Sequence, residues 1–421
     1  MNVNRREFMA KTAVGTAAMA LSSCASQMPA KHYGRVMGAN DRIAIGIIGC
    51  GNRGRDAHME GVHQRDQEQN VEITAVADPY RVHREMAAEK IKAWYTIDAR
   101  QFVSYRDLLA LDDIDAVMIA SCDHQHTTHM QAAAEAGKHM YIEKPLAMDM
   151  DRLLKAYDAV KAANVIVQVG TQLRSLPSFT GCKELVKTGI FGTINRIEQV
   201  RNNPQPYWYK YLKEVKQEDV DWQEFLMHRP DRPFDQWQYS GWYGYADFSD
   251  GALPGYGSHY LDLVHYITGA TFPESCVCLG GRYTWIDEYD FTCPDQIQAM
   301  WNYPEGFLVS YCTNFGNGYG NTFKLYGDVG VLKMDKWSEP VYTAEGGMQN
   351  KGAIRGENPV EHIDMPDHYL DWLQCLRSGN TPNASIDAGY QHAVACLMAM
   401  ESYRSGRRTV YDREKRKISF S

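Results

Sequence analysis

The chain has no Cys-x-x-Cys pair, no bilayer-length apolar run, no excess of positive charge and no repeat, and each lack removes a class of protein. Ten cysteines are scattered through 421 residues. With Cys24 set aside, the odd nine that remain specify neither a zinc ribbon nor a disulfide framework. They are expected to be small buried apolar residues. No apolar stretch approaches the roughly 20 residues needed to cross hydrocarbon. A formal net charge of -8 leaves no electrostatic footprint for nucleic acid. The absence of internal repeats and low-complexity segments argues against solenoids and against a disordered body.

What is present begins with glycine. The run Gly49-Cys50-Gly51-Asn52-Arg53-Gly54 follows the apolar stretch Ile43–Ile48 and opens a helical pattern. In a dinucleotide cradle Gly49 would make the tight strand-to-helix turn. Gly51 would let backbone approach a pyrophosphate, and Gly54 would let the helix close on the sheet. The pyrophosphate would rest on the positive end of the helix beginning near Asn52 and Arg53. Asp78 closes the next apolar run, Val71–Ala77, where a carboxylate accepts from a ribose 2′-hydroxyl. A 2′-phosphate would be repelled there, which favours NAD over NADP, although Arg81 and Arg84 nearby soften the preference.

The first residues have a different character. Asn4-Arg5-Arg6-Glu7-Phe8-Met9-Ala10-Lys11 reads as a twin-arginine signal, and Leu21-Ser22-Ser23-Cys24 after a short apolar stretch resembles a lipobox. Residues 1–23 are therefore expected to be an export signal and 24–40 a tether, with a lipid anchor at Cys24 in the periplasm. From 41 to 172, strands at Ile43–Ile48, Val71–Ala77, Ala116–Ala120, His139–Ile142 and Val165–Val169 alternate with helical stretches, the pattern of a doubly wound parallel Rossmann sheet. From 173 to 421, strand-like runs follow one another: Ile194–Arg201, Val277–Trp285, Gln296–Trp301, Phe307–Asn314 and Thr322–Tyr326. They predict an open, mostly antiparallel sheet with helices at Ser178–Thr188 and His259–Thr268 on one face, an α+β substrate and oligomerisation domain. An open face of this kind makes a homo-oligomer plausible.

Ala120-Ser121-Cys-Asp-His124-Gln-His126, Glu143-Lys144-Pro145, Val167–Gln172 and Gly257-Ser258-His259-Tyr260-Leu261-Asp262, taken with the glycine turn, resemble the Gfo/Idh/MocA family of glucose–fructose oxidoreductase, inositol dehydrogenase and relatives. The resemblance implies a hydride-transfer enzyme for sugars. Lys144 would lie by the nicotinamide and the sugar hydroxyl, with His259 assisting proton removal. Ser121, His124, His126, Glu143 and Gln172 would border the cofactor. Arg174, Tyr243 and Tyr256 join Lys144 and His259 as candidate substrate contacts. Many relatives carry an aspartate four residues before the histidine; here that position is Gly255, and Tyr256 is another candidate proton donor.

His124, His126 and His129 lack the carboxylate or cysteine partners of a recognisable metal site, so no metal is expected. The aromatic clusters Tyr207–Tyr211 and Trp237–Tyr245 suit either a sugar-stacking cleft or a subunit interface. Export bears on the reaction, because free NAD is scarce outside the cytoplasm. A retained cofactor and chemistry that returns it to its starting state fit best. A sugar oxidoreductase is the first reading. A redox glycosidase resembling the NAD-dependent α-N-acetylgalactosaminidases is the alternative, with Tyr256 where a characteristic histidine of those enzymes would stand. A non-catalytic carbohydrate-binding protein is the third.

Overall fold

A computed structural model describes residues 42–348 and 354–421; the export signal and tether expected before Asp41 lie outside the described residues. Six strands, β1 (Ile43–Ile48), β2 (Val71–Ala77), β3 (Arg100–Phe102), β4 (Ala116–Ile119), β5 (His139–Ile142) and β6 (Val167–Val169), form a parallel sheet in the order β3-β2-β1-β4-β5-β6. β1, β4 and β5 are almost continuously apolar because helices cover both faces of the sheet. The strand order reverses between β1 and β4, whose registers pair Ile48 with Ile119. At such a reversal the flanking loops leave in opposite directions and open a crevice. β3 escapes the sequence reading because three partly exposed residues carry no periodic signal.

The second sheet has ten strands. β7 (Ile194–Asn203), β8 (Ser275–Gly281), β9 (Gln296–Tyr303), β10 (Phe307–Phe315) and β11 (Thr322–Gly327) are extended at the edges by β12 (Val331–Lys333), β13 (Val341–Thr343), β14 (Glu357–Pro359), β15 (Thr409–Asp412) and β16 (Lys417–Phe420). The order is β14-β13-β12-β11-β7-β10-β9-β8-β15-β16, antiparallel except for β7 beside β10. Alternation on β9 and β10 buries Ile297, Ala299, Trp301, Val309 and Tyr311 in one core with residues of the helices Pro177–Lys187, Ser258–Thr268 and Ile386–Ser405. The opposite face leaves Val277, Leu279, Met300 and Leu308 exposed. β8 stops at Gly281, short of the predicted Trp285, because the Asp295 carboxylate gathers the amides of Tyr283, Thr284 and Trp285 into a turn.

Two features depart from sequence order. The helix His368–Ser378 follows the second sheet in the chain, yet Trp372, Leu373 and Leu376 pack with Ile43, Ile45, Val71 and Ile73 of the first sheet. Between β7 and β8, residues 204–257 form short helical turns around a separate aromatic cluster that includes Trp208, Trp222, Phe225, Phe248 and Phe291. This segment joins the Rossmann lobe through Tyr80, which belongs to the same cluster.

The β1 turn is the tightest point of the first lobe. A Cβ on Gly54 would lie 2.0 Å from the Gly49 carbonyl oxygen, a backbone atom that cannot swing away. Gly54→Ala is expected to destabilise the protein by about 1–3 kcal/mol, the usual cost of overpacking, read as a lower midpoint in urea unfolding.

Candidate active site

The three glycines of the β1 turn have different surroundings. Gly49 has φ +90°, its N–H donates to Ala77 O at 2.9 Å, and a Cβ there would meet Ser121 N at 2.5 Å. Gly54 is closed by backbone. Gly51 is crowded by nothing closer than the His83 ring at 3.8 Å and opens into the crevice. Gly51 therefore leaves its backbone bare toward the crevice. The Asp78 carboxylate is held at the tip of β2 by the amides of Cys50 (2.6 Å) and Tyr80 (2.8 Å) and lines the same crevice. Asn52, Arg53 and Ser121 line it too. A bare backbone floor with a fixed acid at its edge fits a dinucleotide.

The 204–257 segment roofs this crevice. Lys210–Lys213, Tyr239, Trp242 and Tyr243 face the glycine turn across it. The roof is pinned beside Asp78: Asp221 N donates to Pro79 O at 2.9 Å, Arg81 pairs with Asp219 at 2.6 Å, and Lys213 Nζ lies 3.3 Å from His83 Nε2. It is pinned again at the β4 loop, where Phe225 O accepts from His124 Nε2 (2.9 Å) and Gln125 Nε2 (2.8 Å).

At the end of β5 lies the charged centre. Glu143 is buried, with Arg53 Nε at 2.6 Å, His58 Nε2 at 3.2 Å, Gln172 Nε2 at 3.2 Å and the Lys144 amide at 3.0 Å. Burial alone would push its carboxyl upward, but the Arg53 guanidinium and His58 hold it well below the usual carboxylate range. Gly170 makes this possible, since a Cβ there would sit 2.8 Å from the carboxylate. Lys144, next in the chain, donates from Nζ to Gly255 O at 2.9 Å. Burial lowers its pKa, and the Glu143 charge offsets part of the shift. His259 lies one helical turn beyond Gly255 on the same face. Burial and then the Lys144 charge depress it to about 3, so it is neutral at physiological pH.

The structure thus brings Gly49, Gly51, Asn52, Arg53, Asp78, Ser121 and Tyr243 to one crevice. Glu143 is tied to it through Arg53 and gathers Lys144, Gln172 and His259 nearby, none of these four lining the crevice itself. Tyr256 is half-buried, with the Arg201 guanidinium 4.8 Å from its ring centre. Other expected residues are engaged elsewhere. Arg174, expected to touch substrate, is instead buried in a two-point pair with Asp262 (2.8 and 2.9 Å) and donates to Asn383 O. Short motifs do not separate a ligand-binding arginine from one that locks a helix in place. His124 docks the roof, and His126 has its ring nitrogens 2.7 and 3.0 Å from the carbonyls of Pro145 and Ser121. Neither lines the crevice. Most of the aromatic cluster is a small core; of its aromatic members in the roof Phe225, Tyr239, Trp242 and Tyr243 reach the cleft, joined there by Tyr211.

Sequence reasoning passed over Asp123. It is buried in the β4 loop, accepts from Ser249 Oγ at 2.7 Å, and is pushed up by burial to about 7, with the Lys144 charge opposing the rise. Its position directly after Ser121 and Cys122 in a strand-end loop was the available signal.

Residues 43–171 match a family model described as an oxidoreductase family with an NAD-binding Rossmann fold, and residues 183–411 match the C-terminal α/β domain of the same family. Inositol 2-dehydrogenase 3 of Saccharopolyspora erythraea is 33% identical over 163 residues, 38% of this chain and 46% of that protein. The chain thus spans about half the length of that relative. A glycosyl hydrolase family 109 protein of Shewanella baltica is 26% identical over 457 residues, 95% of this chain and 93% of the relative. The structure of levoglucosan dehydrogenase in complex with NADH superposes with a TM-score of 0.67 at 19% identity, over 87% of this chain and 98% of that one, a likeness of fold.

The Lys144 amine owes part of its basicity to Glu143. Glu143→Gln removes that charge and is expected to lower the Lys144 pKa further. The NMR titration of the 13C-dimethylated Lys144 amine reads this as a midpoint moved to lower pH; an unmoved midpoint contradicts it.

Proposed function

The chain belongs to the Gfo/Idh/MocA oxidoreductase family, and on that premise we propose that it is an NAD-dependent enzyme acting on a sugar or sugar derivative by hydride transfer with a retained cofactor. The observation that carries this reading is the Lys144 amine, lowered by burial and delivered by β5 to the foot of the helix bearing His259. NAD, when bound over Gly51, supplies the acceptor for the hydride of a carbinol carbon. Lys144 Nζ, once neutral, takes the proton of the substrate hydroxyl, so that the C–H electron pair leaves as hydride and the O–H pair becomes the carbonyl. His259, neutral, orients that hydroxyl. Tyr243 and Trp242, stacked with ring centres 3.6 Å apart, offer a flat face to a sugar ring.

NAD is preferred to NADP because the fixed Asp78 carboxylate suits a ribose hydroxyl and repels a phosphate. The pinned roof supports retention, which the twin-arginine signal and lipobox at Cys24 make necessary: export in the folded state, cofactor loaded, to an anchored position in the periplasm. The exposed apolar face of the second sheet supports a homo-oligomer, and sedimentation above the 47.8 kDa of one chain is the expected result.

A second reading is supported by the near full-length likeness to the family 109 glycosyl hydrolase and by Asp123. Oxidation at C3 of a glycoside acidifies C2–H. A second proton-handling group near Lys144 would then serve elimination of the C1 substituent, followed by water addition and return of the hydride. This is net hydrolysis with no net redox change.

Protein purified without added nucleotide is expected to carry NAD(H), seen by its absorbance and fluorescence, while an empty site would support a carbohydrate-binding role. Stoichiometric NADH from a sugar with its glycosidic bond intact supports the dehydrogenase. Aglycone release from aryl glycosides without external NAD, abolished in Lys144→Ala, supports the glycosidase instead. The rate of oxidation should rise with pH as Lys144 loses its proton and level off below the ordinary lysine range of about 10.4.

A further inference from the structure

The second sheet carries a cavity of its own, apart from the cofactor crevice. It measures about 450 Å³, within the range of small-molecule pockets, and its lining includes Ser178, Arg201, Asn321, Asp335, Trp337 and His362. Arg201 stands near the end of β7, on the same face of the strand as the buried Ile197 and Gln199. Among the described residues its Nε is buried without a hydrogen-bond partner. The acid that lines the cavity, Asp335, is engaged otherwise: it accepts from the Phe323 amide at 2.7 Å and lies 3.8 Å from Lys324 Nζ. The Tyr260 phenol is raised by burial to about 12, a rise that the Arg201 charge partly offsets, and so keeps its proton. Arginine itself stays charged. A half-buried cation with an unpaired buried donor is unfavourable, and an incoming anion relieves it.

Tyr256 connects this cavity to the reacting groups. The Arg201 guanidinium lies 4.8 Å from its ring centre, and its backbone follows Gly255, whose carbonyl accepts from Lys144. Trp337 is fixed by Ser178 Oγ, which donates to its carbonyl at 2.6 Å, and its ring centre is 6.1 Å from that of Tyr260, the residue after His259. We infer that this cavity selects the substrate by its charge: Arg201 takes an oxyanion group, a carboxylate or a sulfate or phosphate ester, carried by the sugar away from the carbon that gives up its hydride. The inference rests on the proposed hydride transfer and names the class of sugar it acts on. The planar guanidinium fork matches two oxygens of such a group. Trp337 offers an apolar wall to the sugar ring. The charge on Asp335 is offset by the Phe323 amide and Lys324 before the anion arrives.

The test uses the full chain with its bound nucleotide. In one arm the protein is 15N-labelled at arginine, and the Arg201 Nε–H signal is assigned by its loss in Arg201→Lys. Sodium acetate, sulfate and phosphate are titrated against chloride at constant ionic strength. A saturable shift of that signal is expected; a signal that moves no further than in chloride overturns the subsite. In the other arm, glucose and galactose are each supplied as the neutral sugar, the uronate, the sulfate ester and the phosphate ester, and the second-order rate of nucleotide reduction is measured. The wild type should prefer an acidic form, and the form preferred identifies the oxyanion. Arg201→Gln should lower the preference for acidic over neutral sugar about 10- to 100-fold, the worth of a hydrogen bond to a charged group. Arg201→Lys, which keeps the charge and loses the fork, should fall between. An unchanged preference overturns the subsite, and should Arg201→Gln not fold, the anion titration and Arg201→Lys decide. Saturable anion binding at Arg201 with no reduction by any sugar keeps the subsite and refutes hydride transfer. Faster oxidation of neutral sugars than of acidic ones keeps hydride transfer and overturns the subsite.

Discussion

The buried Glu143 carboxylate is the constraint on which the site depends. It collects Arg53 from the β1 turn, His58 from the following helix, Gln172 from beyond β6 and the amide of Lys144. A buried charge is tolerated only when paired and hydrogen-bonded on several sides, so these four segments must arrive together. Tyr141 and Tyr369 close the ring by packing on His58, tying in the late helix His368–Ser378. The glycine turn and Lys144 are thereby placed by one electrostatic centre.

The roof adds the second condition for chemistry. The crevice of a bare doubly wound sheet is open to water; here the segment between β7 and β8 covers it with tyrosine and tryptophan. Exclusion of water strengthens every interaction inside. The same segment carries Tyr207 to Gly255, where a Cβ would lie 2.5 Å from the tyrosine hydroxyl. Its own aromatic core lets it hold that shape without long helices or strands.

The longer strands of both sheets were legible because their residues obey a periodicity that backbone geometry imposes, whereas β3 and the short edge strands β12 to β16 are too brief to show one. β1 and β2 begin and end where the apolar runs do, and the glycines at 49, 51 and 54 announce a turn that other residues cannot make. Lys144, His259, Arg174 and His126 all stand in short motifs, but a motif names residue types and spacing and not partners: Arg174 pairs with Asp262 and His126 with the carbonyls of Pro145 and Ser121, while Lys144 reaches Gly255 O. Asp123 belongs to no periodic pattern, and its setting comes from Ser249, 126 residues on in the chain.

The amino-acid sequence by itself determined the dinucleotide cradle, the two-sheet plan and the lysine at the end of β5, because each follows from short-range steric rules: which residues turn, which alternate, which run apolar. Only the tertiary structure decided what surrounds that lysine. Burial, the Glu143 charge network, the roof over Gly51 and the hydroxyl beside Gly255 arise from long-range packing, where electrostatics and desolvation depend on three-dimensional distance and not on position along the chain.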